Sequence, residues 1–272
     1  MKIEKNIILK DFGYKSLPIV FKEGGRPRYK LGDIPLIGTT TVINTRAKDF
    51  LMFWTIKEGI KYLDVHWDIN RKYTKLEKEN LLLLAKKAWT VKKDKALDAG
   101  KITHDLIQNS IVKGKRYKIK KLVFDRSEIQ EEIRNAYQAF LDWEKSKKKI
   151  EYYAGELIVG SKIHYVGGTI DAIAEVDGWL ELLDWKTSNF LSEDVFLQTG
   201  AYKMQLLEGG VDLNISRRVV QFKKDGSGFK EIKIKSHYSK DVEAFLGLLT
   251  NYRWNRDTKK NFMYKNGILK TD

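Results

Sequence analysis

Residues 167–188 read GGTIDAIAEVDGWLELLDWKTS, and this stretch decides the fold. Asp177-Gly178, flanked by two apolar-rich runs, is the signature of a two-residue type I′ turn, so the segment is a β-hairpin. In such a hairpin, residues whose numbers add up to 355 lie opposite one another, which sets Asp171 against Asp184. With no intervening bulge their β-carbons are about 4.5–5.5 Å apart on one face. Lys186, two residues past Asp184, projects from that face too. Ile173, Leu180 and Leu182 share it, while Ala172, Ala174, Val176, Leu183 and Trp179 line the other. Two largely apolar faces predict a buried central hairpin. Facing carboxylates in such a place repel strongly and require compensating cations. Lys186 supplies one charge, and a divalent metal is the natural second. Hard oxygen ligands select Mg²⁺ or Mn²⁺, ions that also bind substrate phosphates. The alternative is a structural Asp–Lys–Asp network at a strand end.

Working outward, the 272-residue chain carries 51 Lys and Arg against 36 Asp and Glu, a net charge of +15. That excess favours a polyanionic partner, since neutralised phosphates release counterions. The densest cluster is Lys113, Lys115, Arg116, Lys118, Lys120 and Lys121, with no acid among them. Lys145, Lys147, Lys148 and Lys149 follow, and Arg253, Arg256, Lys259, Lys260, Lys265 and Lys270 lie near the C-terminus. Solvated lysine-rich faces give the same pattern without a partner. The absence of cysteine excludes disulfides, cysteine nucleophiles, thiolate zinc and cysteine-ligated iron–sulfur clusters. No P-loop pattern is present, and no apolar run is long enough to span a bilayer. The opening MKIEKNIILKDF has no export signature, which sets an expectation of an intracellular protein.

The periodicity predicts extended chain up to about Asn44, then a helix over 46–63 with Phe50, Phe53, Trp54, Ile60 and Leu63 on its apolar face. Thr74-x-x-Glu77 is a capping box opening a helix through Trp89, and a third helix is expected from Lys95 to Ile111. Ser127-x-x-Gln130 opens a fourth, with Ile129, Ile133, Tyr137, Phe140 and Leu141 at helical spacing. Strands are expected over 151–160, 165–176 and 179–185, then a helix over 193–207 capped by Ser192. Strands over 217–223 and 229–234 flank a turn at Asp225-Gly226, and a last helix runs from Ser239 to Trp254. The class is α/β or α+β.

The same residues resemble the PD-(D/E)XK nucleases, in particular their RecB-like exonuclease branch. That branch joins a GG-x-x-D strand, a D/E-x-K strand and a Q-x-x-x-Y helix. Here these read GGTID with Asp171, DWK with Asp184 and Lys186, and QTGAY with Gln198 and Tyr202. An upstream helix of the branch carries a histidine, matched by His104 in AGKITH. DIPLIGTTTVI followed by a Trp-containing helix is similar to the front of phage and mitochondrial members, so the likeness spans residues 34–202. It implies a restriction-endonuclease-like αβββαβ core with a central mixed sheet, led by the helix of His104, plus an N-terminal helical portion. Cysteine-ligated versions of the branch are excluded.

On that resemblance, Asp171, Asp184, Lys186, Gln198 and Tyr202 are the catalytic set. His104, Asp171, Asp184 and the backbone carbonyl of Trp185 are metal ligands for Mg²⁺ or Mn²⁺. On its neighbours alone His104 reads as a core histidine. Glu156, in YYAGELIV, is either a further ligand or a surface carboxylate. Lys113, Lys115, Arg116, Lys118, Lys120 and Lys121 are candidate nucleic-acid contacts. His66, His164 and His237 are expected to be structural, with His164 on the strand of Asp171 but facing away. Trp67 and Trp254 are candidates for base stacking.

The implied activity is a metal-dependent DNA exonuclease, with a structure-specific or single-strand endonuclease and a non-catalytic DNA-binding module as alternatives. The implied partner is DNA, single-stranded or at duplex ends, with a single-strand-annealing or replication protein and a homo-oligomer as further possibilities and no membrane. The expected arrangement is an N-terminal extended and helical portion over 1–92 and a nuclease core over 93–272, within one compact unit. The expected compartment is the cytoplasm of a bacterial or phage-infected cell, with the mitochondrial matrix as alternative.

Overall fold

In a computed structural model, residues 6–46, 49–124, 127–212, 214–265 and 268–271 are described, with backbone alone for Asp49, Phe50 and residues beyond 258. The side chains of Phe50, Lys259, Lys260, Lys265 and Lys270 therefore lie outside the described set. The elements run β1 (Ile7–Ile8), β2 (Ile19–Phe21), β3 (Tyr29–Leu31), β4 (Ile34–Gly38), α1 (Thr39–Ile43), α2 (Asp49–His66), α3 (Lys75–Lys113) and α4 (Gln130–Lys145). Then come β5 (Ile150–Ser161), β6 (Val166–Val176), β7 (Trp179–Lys186), α5 (Asp194–Glu208), β8 (Ser216–Phe222), β9 (Phe229–Ile234) and α6 (Tyr238–Asn261), with a terminal pair β10 (Phe262–Lys265) and β11 (Ile268–Thr271).

The architecture is mixed α/β around an open, mixed sheet ordered β2-β3-β4-β6-β7-β8-β9, with β5 on the other edge of β6 and β1 on β5. β4 pairs with β6 and β7 with β8 in parallel; the remaining pairs of this sheet are antiparallel. On one face α3 and α4 pack an aromatic core in which Tyr137, Phe140, Trp143, Trp185 and Phe222 stack or meet edge to face. On the other, α5 lays Tyr202 and Leu206 over Ala154, Leu157, Ile170, Ile173 and Leu182.

The hairpin register agrees with the sequence. Val176 faces Trp179 and Ala172 faces Leu183, and Asp177 and Gly178 have φ of 52° and 85°, as a type I′ turn requires. The Thr74–Glu77 capping box forms in both directions. Other expectations need correcting. The helices placed over 74–89 and 95–111 are one 39-residue helix, α3, because Lys92, Lys93 and Asp94 carry no breaker and helix propagation is favourable once begun. Thr39–Ile43 is helical rather than extended. Neither Ser192 nor Ser127 caps a helix: α5 follows Glu193 with no side-chain cap bond, and 127–129 is a 3₁₀ turn ahead of α4. Phe53 and Ile60 on α2 are more than half exposed, so the apolar face read there is not a core face. Trp179 is likewise exposed, with Lys233 Nζ 5.1 Å from its ring. Among the described residues no helix is long and apolar enough to cross a membrane.

Candidate metal centre

The site forms where the sheet forks. The edge of β6 that meets β7 is shared with β4: β4 holds Val166 and Gly167, and β7 holds Ala172 through Val176. Gly168 through Asp171 lie in the opening between them. Past Leu183 strand β7 peels away toward β8, and the backbone N–H of Trp185 is met by the Asp171 carboxylate, donating to Oδ2 at 2.7 Å. A side chain thus replaces the missing ladder partner.

Strict alternation breaks at this fork, which corrects the reading of Asp171 as sharing the face of Ile173. Ile170 and Ile173, three residues apart, pack on the same face, and so do Ala154 and Leu157 on β5. An odd step between residues on one face means that the pleat is interrupted in each strand. The interruptions coincide, because Gly155 faces Ala172 and Leu157 faces Ile170, which puts Glu156 beside Asp171. Glu156 has φ of +46°, a left-handed conformation uncommon for a residue other than glycine. Three carboxylates, Glu156, Asp171 and Asp184, consequently follow one another across three neighbouring strands. Asp184 keeps regular alternation, between Leu183 and Trp185 of the aromatic core, and therefore faces α5.

Helix α3 delivers His104. Gly100, one turn earlier, permits the approach: a Cβ there would be 2.9 Å from Thr187 Oγ1, just past Lys186. His104 Nδ1 lies 3.3 Å from Asp171 Oδ1, and ligand atoms of His104, Glu156 and Asp171 all fall within 4.8 Å of one another. Opposite, α5 supplies the amide and phenol. Lys186 Nζ sits 2.6 Å from Asp184 Oδ2 and donates to Gln198 Oε1 at 3.1 Å, and Gln198 Nε2 donates to the Tyr202 hydroxyl at 3.2 Å. Gly168 makes room for that helix, since a Cβ there would fall well under 3.0 Å from the Tyr202 ring.

The electrostatics set the two aspartates apart. Burial pushes both carboxyls up. For Asp171 the His104 charge and hydrogen bond, Lys186 and the Trp185 N–H overturn this and hold it below the usual range. Asp184 stays raised, because its burial and the nearby Asp171 charge outweigh Lys186. Burial disfavours the His104 imidazolium, yet Asp171 and Glu156 hold its pKa above the ordinary histidine value. Burial, with the nearby Tyr29, drives the Tyr202 phenol well up, so it remains a neutral hydrogen-bonding group.

Every residue of the expected catalytic set is therefore in one place, but in two half-sites. His104, Glu156 and Asp171 form a compact donor group, whereas Asp184 is turned to Lys186 and is not part of that group. The Trp185 side chain is core, at 2% exposure. Two carboxylates and an imidazole, with a third carboxylate close enough to repel, fit a hard divalent cation. Lys186 offsets part of the charge of the acids.

The basic stretch lies elsewhere. Lys113, Lys115, Lys118, Lys120 and Lys121 are exposed, but Arg116 is committed, its Nε and Nη2 donating to both Glu144 oxygens at 2.9 and 2.8 Å. A cavity of about 460 Å³ lined by Arg116, Glu144, Lys145, Lys148 and Lys149 opens at Ile150, six residues or roughly 20 Å of strand from Glu156, away from the donor group. His164 lies in the turn before β6 rather than on it, its carbonyl accepting from Arg253. His66 and His237 are exposed, held by the Tyr62 carbonyl and the Ser236 hydroxyl. Trp67 packs on Tyr73, and Trp254 is exposed.

The sequence reading missed Gln108. It is buried one helical turn beyond His104, and the H-x-x-x-Q spacing was the signal that could have found it.

No protein-family model matches the chain, and no curated protein matches it. A solved structure titled "Crystal structure of SSO0001" is similar at 12% identity and a TM-score of 0.30, over 74% of this chain and 86% of that one. A likeness of that size carries no argument about fold or function.

Proposed function

We propose that this chain is a metal-dependent deoxyribonuclease with a PD-(D/E)XK core, acting as an exonuclease on DNA ends or single strands with Mg²⁺ or Mn²⁺. The observation that carries the reading is the pairing of half-sites: an imidazole and two carboxylates within 4.8 Å, beside a lysine bound to a third carboxylate and to a glutamine. A purely structural network gains nothing from gathering three largely buried acids where the sheet opens. A divalent cation, when bound, polarises a phosphoryl oxygen and lowers the pKa of water. His104, Glu156 and Asp171 are the residues that would hold it, with Asp184 and the Trp185 carbonyl adjoining.

The protein's own groups do the rest. Asp184 anchors Lys186, whose ammonium has three donors and directs the attacking water toward the phosphate. Gln198 restrains the lysine from α5 and, with Tyr202, offers polar groups to the scissile phosphate. The net charge of +15 favours the encounter with DNA. The test is end-labelled linear DNA incubated with Mg²⁺ or Mn²⁺. Mononucleotides or short oligomers are expected, lost on chelation and reduced at least 100-fold by Lys186→Ala, a size of effect typical of a positioned acid–base group. Circular single-stranded and duplex substrates should survive; their cleavage would make the enzyme an endonuclease. Undiminished activity in Lys186→Ala would discard the mechanism.

A further inference from the structure

Gln108 is 4% exposed, and neither the Nε2 nor the Oε1 of its buried amide has a hydrogen-bond partner. Buried polar groups without partners are rare in folded proteins, and each calls for a cause. Its surroundings supply one. Gln108 is four residues beyond His104 on α3, on the same helix face. It lies over Gly155, the residue before Glu156: a Cβ on Gly155 would be 2.5 Å from Oε1 and 2.8 Å from Nε2. The glycine therefore makes space for this amide at the strand position that leads into the left-handed Glu156. A leucine in place of Gln108 would fill the space at no polar cost, so the fold gains nothing from the amide.

We propose that Gln108 is a positioning residue for the carboxylate group of the centre, holding Glu156 and its surrounding solvent in the arrangement that accepts a divalent cation, and that its own hydrogen bonds are completed only when that cation is bound. The amide is suited to this, since it both donates to a carboxylate and accepts from a water without adding charge. A lysine there would compete with the cation, and a glutamate would add a further repelling acid. The inference rests on the reading of His104, Glu156 and Asp171 as a cation site.

Calorimetric titration of Mn²⁺ into the whole chain, with thermal unfolding measured in parallel without metal, tests both ideas separately. Wild type should bind Mn²⁺ and Asp171→Asn should not; absence of binding in wild type removes the cation site and this inference with it. Gln108→Leu is expected to unfold at an equal or higher temperature than wild type without metal, because a desolvated amide has been removed. Its Mn²⁺ affinity should nevertheless drop at least tenfold, the range seen when groups that orient metal ligands are removed. A purely structural amide, or one satisfied by a trapped water, would shift the unfolding temperature and leave the affinity within twofold, and that result overturns the proposal while leaving the cation site intact. Gln108→Met is the second variant. If both apolar variants fail to fold, the amide is structural and the proposal falls.

Discussion

Asp171 shows how much one side chain can decide. It accepts the N–H that β7 leaves open, faces His104 from α3, and adjoins Glu156 and Asp184. Such crowding is possible only because glycines stand where helices press on the strand. At Gly168 the Tyr202 ring occupies the space of a Cβ. Gly168→Ala should therefore cost about 1–3 kcal/mol of overpacking and displace Tyr202 and Gln198 from Lys186. Chemical denaturation would show the loss, and a midpoint equal to wild type would refute the close packing. The register and the positions of Asp171 and Asp184 were legible in residues 167–188, since Asp-Gly and the alternation of apolar residues dictate which side chains oppose, whereas Glu156 on the preceding strand read equally as a ligand or a surface carboxylate. The pleat break at Glu156 and Asp171 was not legible. A strand sequence carries no local mark of where its neighbour ends, and the break arises from the fork between β4 and β7, a tertiary event. Asp184, which keeps the regular alternation, pairs with Lys186 beside that donor group.

At the level of elements, the far side of the sheet is held by a second charged assembly that the sequence did not reveal, because its members are scattered over 143–233. Arg218 on β8 bonds Glu181 on β7 and Glu231 on β9; Lys233 pairs with Glu181, and Trp143 and Lys147 donate to Glu231. Glu181 is fully buried, so removing Arg218 leaves its carboxylate with Lys233 alone. Arg218→Ala should cost about 1–3 kcal/mol in denaturant unfolding, beyond a surface ion pair. Glu231 gives this assembly a pH signature. Burial alone would raise its carboxyl, but Lys147, Trp143 and Arg218 hold it below the ordinary glutamate value of 4.5. A carboxyl depressed in the folded state contributes stability above its unfolded pKa and loses it as pH falls through the folded one. Stability should thus decline below about pH 4.5, and Glu231→Gln should flatten that part of the decline while lowering stability at neutral pH. An unchanged acid limb in the variant would count against the network.

Over the whole molecule, stability is unevenly spread, and α3 records the gradient within one helix. From Ala99 to Ile111 it buries Thr103, Leu106, Ile107 and Ile111 against the sheet and α4. From Lys75 to Asp98 only Ala85 is buried, and Leu82, Leu83, Leu84, Val91 and Leu97 are exposed. That half is held to α2 by the Trp54–Trp89 edge contact, the Lys92–Glu58 pair at 2.9 Å and the close approach of Gly59 to the Ala85 carbonyl. A pair of helices with so little buried apolar area lacks the main term that resists opening. Amide hydrogen exchange should therefore be faster by orders of magnitude in α2 and residues 75–95 than in β5, β6 and β7, with the change occurring inside α3 near Ala99. Since the backbone hydrogen bonds of α3 are of one kind throughout, the step can come only from packing. Uniform protection along α3 in the isolated chain would contradict this, and would mean that the exposed leucines are covered in solution.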